Sequence, residues 1–140
     1  MTAAKQIDCG SAEIFGTWRL VSCEIEFLDS GEREELYGRN PVGRLILGAD
    51  YTMMALLLHE DAGGTTGKQL MAYSGRFRIE YPRTFVTEVD MAWDKAWLGT
   101  HPRYFDLEDD VLDVVTPPQT HPAHAGLMVR SYMRWRRETD

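Results

Sequence analysis

An all-β sandwich or barrel of eight or nine short strands, with a short N-terminal helical turn, is the fold class this sequence predicts. Three observations point to it. From Trp18 to Arg137 apolar residues recur with period two in short stretches. Turn-forming residues separate those stretches at intervals of roughly 8–12 residues, a spacing typical of sandwiches and barrels. No stretch sustains helical periodicity. The chain has 140 residues, 44% of them apolar and 26% charged, which suits one folded domain around one core.

Residues 1–10 are polar and unpatterned and read as a loose arm before a single domain over 11–140. Ser11 to Phe15 can form one helical turn, capped by Ser11 and ended by Gly16. Thr17 to Phe27 is rich in β-formers and stops at Asp29-Ser30-Gly31. Glu34 to Tyr37 reads as a short second strand, closed by Gly38 to Pro41. Gly43 to Leu47 and Tyr51 to His59 make a hairpin around Gly48-Ala49-Asp50. Asp61 to Gly67 reads as the most flexible loop. Met71 to Glu80 and Thr84 to Ala92 are strands joined at Tyr81-Pro82-Arg83, followed by a loop or one helical turn from Trp93 to Gly99. His101 to Leu107 pairs with Val111 to Thr116 around Glu108-Asp109-Asp110. A long loop runs from Pro117 to Gly126, and Leu127 to Arg137 is the last strand.

Alternation assigns the faces. Leu127, Val129, Ser131, Met133 and Trp135 are expected inside, as are Tyr73, Gly75, Phe77 and Ile79, and His101, Arg103, Phe105 and Leu107. Counting from Trp18 places Ser22 and Glu24 inward and Cys23 between them, facing away. In Thr84 to Trp93 the apolar face is Phe85, Val89, Met91 and Trp93; simple burial puts Glu88 and Asp90 outside, although a bend near Trp93 would turn one inward. Met53 to Leu58 is apolar on both faces, so Met54, Leu56 and Leu58 need cover from a loop, the N-terminal turn or a second subunit, and a homodimer is one expectation.

A net charge of −7 argues against a nucleic-acid partner. Cys9 and Cys23 form neither a disulfide framework nor a CxxC pair, which favours a reducing compartment and disfavours structural zinc. The first ten residues lack the apolar core of a signal peptide, and the longest apolar run, Met53 to Leu58, is too short to span a bilayer as a helix. A cytoplasmic protein without a membrane partner is expected.

Gly16-Thr17-Trp18 ahead of the first strand resembles the short signature of lipocalins and related calycin barrels. Gly16 to Ser22, Tyr37 to Gly43, Tyr73 to Phe77, Trp97 to Thr100, Arg103 to Leu107 and Thr116 to Pro118 follow one another in an order similar to the lipocalin-like domain family, from about Ile14 to Arg137. The resemblance implies an eight-stranded antiparallel β-barrel with an internal small-molecule cavity, Trp18 plugging its closed end and Arg137 packed over that indole. Some relatives in secondary-metabolite pathways are cofactor-free cyclases, dehydratases or isomerases. Thr87 and Glu88 stand where many relatives carry histidine, so no role of those histidines transfers.

Inside a small barrel every polar group must be satisfied or used. Arg103 is the strongest candidate: an inward guanidinium can bind a carboxylate, phenolate or enolate and stabilise developing negative charge, or it can close an ion pair with Glu24 or Asp90. Glu24 and Asp90 are candidate acid–base groups, and Tyr73 offers a phenol as proton relay. Met53, Ala55, Leu57, Phe77, Phe105, Met133 and Trp93 are candidate ligand contacts, with Ser22, Ser131 and Glu88, and with His59 and His101 at the cavity mouth. Ala62 to Gln69 departs from a phosphate loop at both ends, and His121 and His124 lack a third ligand, so no metal or other cofactor is expected. The functional expectation is a cofactor-independent cyclase, dehydratase or isomerase acting on a hydrophobic secondary metabolite; the alternatives are a non-catalytic carrier or sensor, and a structural partner protein that uses its apolar outer strand.

Overall fold

The computed structural model describes residues 13–60, 70–121 and 124–139. In chain order its strands are β1 (Gly16–Phe27), β2 (Arg33–Glu35), β3 (Val42–Leu47), β4 (Thr52–Leu58), β5 (Leu70–Glu80), β6 (Thr84–Ala92), β7 (Gly99–Glu108), β8 (Val111–Val115), β9 (Gln119–His121) and β10 (His124–Arg137). One 3-10 turn, Lys95–Trp97, joins β6 to β7. The arm at 1–10, the Ser11 cap, and the segments 61–67 and 62–69 lie outside the described residues.

Neighbouring strands pair antiparallel in the order β2-β1-β3-β4-β5-β6-β7-β8-β10-β9, and β1 also pairs with β10. That last pairing closes an eight-stranded barrel from β1, β3 to β8 and β10. Closure satisfies the backbone groups that an open sheet would leave at its edges. The short strands β2 and β9 flank it. β9 arises inside the stretch expected to be loop, because Gln119 and Thr120 pair with Val129 and Met128. Tyr37, expected to end the second strand, instead adopts φ 69° and turns its ring into the barrel, where it is buried.

Two β-bulges decide which side chains face inward. In β1, Leu20 pairs with Trp135 and Ser22 with Arg134, so Val21 is an extra residue. Val21 and Ser22 both turn away from the lumen, and Cys23 and Ile25 turn in. The expectation that Ser22 and Glu24 line the interior is thereby corrected. In β6, Val89 pairs with Gly75 and Met91 with Ser74, leaving Asp90 extra. Phe85, Thr87 and Val89 are buried, whereas Met91 is 69% and Trp93 64% exposed. The expected inward placement of Met91 and Trp93 is corrected for the same reason.

The base of the barrel is closed by Trp18, which is fully buried and donates its indole N–H to the Ile14 carbonyl at 3.0 Å. The Arg137 guanidinium lies over the Trp18 ring at 4.3 Å and donates Nη1 to the Phe15 carbonyl at 2.9 Å. Gly16 makes room for it. At φ 143° a side chain there would be strained, and a Cβ would stand 2.9 Å from Arg137 Nη1. The glycine of the Gly-x-Trp signature therefore has a steric cause. On the outside, Val42, Ile46 and Met54 give β3 and β4 an exposed apolar face. No helix among the described residues is long and apolar enough to cross a membrane.

Candidate functional site

Alternation along β7 buries Arg103, which is 3% exposed, between inward His101 and Phe105. Its Nη1 donates to the Pro102 carbonyl at 2.9 Å. A guanidinium has five N–H donors, and among the described residues no carboxylate comes within ion-pair distance of this one. The proposed partners are elsewhere. Glu24 is on the outer wall, paired with Arg33 at 3.3 Å. Asp90 is exposed on the β6 bulge, and Glu88 is exposed and ion-paired with Arg78. Neither an internal ion pair to Arg103 nor an internal carboxylate base exists among the described residues.

The lumen divides into two chambers that share Leu57, Met71, Tyr73, Arg103 and Met133. Towards the base, Leu45, Met53, Ala55, Phe85, Val114 and Trp135 complete an apolar chamber. Towards the other end, Cys23, Leu36, Tyr37, Trp97, Thr116, Gln119, His121 and Ser131 complete a polar, aromatic one. Each has a cavity volume of about 20 Å³. Twenty cubic ångströms is room for about one water. Side chains must move before anything larger is held. The methionines among the lining residues, Met53, Met71 and Met133, are unbranched and deformable enough to do so.

Aromatic rings frame the polar chamber. Trp97, placed by a 3-10 turn whose Ala96 N–H donates to the Asp94 carboxylate, packs 5.2 Å from His121 and 5.8 Å from Tyr73. Tyr37 approaches His121 at 6.5 Å. His101 Nε2 lies 2.8 Å from the Trp97 carbonyl and ties the turn to β7. Thr116 Oγ1 accepts from the Ser131 N–H at 2.9 Å, fixing β8 against β10 where both reach the chamber. The Gln119 amide nitrogen is buried with no hydrogen-bond partner among the described residues.

Burial sets the protonation states. Desolvation, with the neighbouring Glu24 charge, pushes the Cys23 thiol up to about 12, so it is protonated at neutral pH. Cys23 thus lines the cavity, contrary to the alternation count, but as an inert thiol. Burial also raises the Tyr37 phenol, reinforced by Cys23 and Tyr73. Burial first, then His124 and Arg103, holds His121 down to about 4 despite the opposing pull of Asp94. His101 is lowered too, by burial and by Arg103, against its contact with the Trp97 carbonyl. Among the described residues the chamber thus holds one guanidinium beside a neutral thiol and a neutral imidazole, with further side chains that can donate a hydrogen bond.

Of the expected ligand contacts, Met53, Ala55, Leu57, Ser131 and Met133 line the chambers, together with Tyr73, the expected proton relay. Phe77 and Phe105 are buried but pack against Phe85, at 6.3 and 5.9 Å, rather than along the chambers. His59 is half-buried just after β4 and His101 half-buried in β7; neither lines a chamber. Tyr37, Gln119 and His121 were not anticipated as lining residues, since all three occupy segments read as strand end or loop. A larger depression of about 330 Å³ lies on the outer wall beside Glu24, Tyr132 and the Arg134–Asp113 ion pair, away from Arg103. No family model matches the chain, and no curated protein matches it.

Proposed function

We propose that this protein binds a small hydrophobic molecule with an acidic head inside its barrel, as a carrier or sensor, with Arg103 as the anchor. One observation carries the reading: a guanidinium buried in an apolar lumen without a carboxylate partner among the described residues. Burying an unpaired charge costs several kcal/mol, and a ligand anion supplies the missing countercharge. Kinship with lipocalin-like barrels belongs to the same proposal, supported by the Gly16-x-Trp18 signature and by Arg137 over the Trp18 ring. Cofactor-free cyclisation, dehydration or isomerisation is the weaker reading. It needs a proton-transfer group beside the ligand, and the outward placement of Glu24 and Asp90 leaves Tyr73 as the remaining candidate from that set.

Arg103→Met tests the anchor without a known ligand. Removing an unpaired buried cation should raise the unfolding free energy by about 1–3 kcal/mol, as residues kept for binding often oppose stability. Urea denaturation measures this. A variant destabilised by a similar amount would make Arg103 a structural residue and end the proposal.

A further inference from the structure

We infer that the polar chamber selects a flat aromatic monocarboxylate of one or two fused rings, with its carboxylate on Arg103 and its ring among Tyr37, Tyr73 and Trp97. The inference rests on the proposed lumenal binding and specifies the ligand's charge, head group and body. Charge comes first. Among the described residues Arg103 is the single cation lining the chamber, beside a thiol held up to about 12 and an imidazole held down to about 4, both neutral at pH 7. A monoanion balances that charge, whereas a phosphate dianion would leave one negative charge stranded in an apolar interior.

The head group follows from the donors. A guanidinium presents a planar fork that matches both oxygens of a carboxylate. The buried Gln119 amide nitrogen, unpaired among the described residues, lines the same chamber and offers a neutral donor. The Tyr73 and Tyr37 phenols offer two more. The body follows from the walls. Tyr73 and Trp97 rings lie 5.8 Å apart, and Tyr37 and Trp97 flank His121 at 6.5 and 5.2 Å. These rings already meet one another at contact distance, so a further ring would engage their remaining faces and edges in offset or edge contacts once side chains move. The chamber's cavity of about 20 Å³ must widen by side-chain movement to admit a ligand, so a compact rigid ring demands less widening than a long chain and forfeits less conformational freedom on binding.

Isothermal titration calorimetry with benzoate, indole-3-carboxylate, benzamide and octanoate tests the inference. Methyl NMR of Met53, Met71 and Met133, against the outward Met54 and Met91, reports whether binding is lumenal. The expected result is lumenal binding of at least one aromatic acid, at least tenfold tighter than benzamide and than octanoate. Arg103→Met should remove the preference over benzamide, and Tyr37→Leu should narrow the preference over octanoate while octanoate affinity holds. Octanoate or benzamide binding in the lumen as tightly as the aromatic acids would overturn the ligand class and leave lumenal binding intact. No lumenal shift with any of the four would overturn both.

Discussion

His121 lies between the rings of Tyr37 and Trp97 and carries the most strongly lowered imidazole among the described residues. Burial is the main cause, followed by His124 and Arg103, with Asp94 opposing. In an unfolded chain a histidine titrates near 6.5, so between that value and about 4 the unfolded state binds the proton and the folded state does not. Stability is therefore complete above about pH 6.5 and falls as the pH drops towards 4, by on the order of 3 kcal/mol at most. His101, lowered in the same direction, adds to the slope. Urea unfolding from pH 7 to pH 4 should show this loss, and His121→Phe should flatten the curve. An unchanged curve in that variant would place the acid sensitivity elsewhere. Which residues are buried at all was legible here: Arg103, Tyr73, Ser131 and Trp135 follow from strict alternation in strands without a bulge at those positions.

At the scale of a strand, alternation fails where one residue is inserted. The phase slip in β1 has a visible trace: Trp18 and Leu20 are apolar on even positions, then Cys23, Ile25 and Phe27 on odd ones, with Ser22, Glu24 and Glu26 polar between them. Val21, apolar and 40% exposed at the slip itself, obscures it. The slip in β6 leaves almost no trace, because Met91 and Trp93 continue the apolar rhythm on what has become the outer face. Only Gly75 hints at it. A Cβ on Gly75 would stand 2.0 Å from the Glu88 carbonyl oxygen, so the bulged strand can approach only a glycine. Gly75→Ala should cost at least about 1–3 kcal/mol, since backbone rather than a flexible side chain must give way. A urea midpoint unchanged from the parent would mean the two strands separate without penalty, against the register described here.

The barrel as a whole is held shut where its first and last strands meet. Arg137 joins them: it stacks on Trp18, donates to carbonyls of Phe15 and Glu13, and pairs with Asp110 at 3.3 Å from the β7–β8 turn. Removing the charge and keeping the stem, as in Arg137→Met, should cost about 2 kcal/mol through lost cation–π and charge-assisted bonds. Hydrogen exchange should then show the β1–β10 pairing opening at its Trp18 end before the rest of the barrel. Uniform exchange across all strands would show that the barrel is not fastened at this point.

Period and turn chemistry determined by themselves that this chain is an all-β sandwich or barrel, because each half-buried strand writes its two faces locally into the sequence; closure into a barrel is the β1–β10 pairing. The inward guanidinium of Arg103 was readable from the same alternation, whereas Trp18 at the closed end was readable only through the Gly16-x-Trp18 resemblance. Tertiary structure alone decided which residues complete the polar chamber around Leu57, Tyr73, Arg103, Ser131 and Met133. The ring of Tyr37 enters from a turn, Trp97 from a 3-10 turn, and Gln119 and His121 from a strand that exists only because β10 offers it an edge. Two inserted residues also sent Ser22, Glu24 and Trp93 outside and brought Cys23 in. Such placements depend on which strand lies alongside, information that neighbours in sequence do not hold.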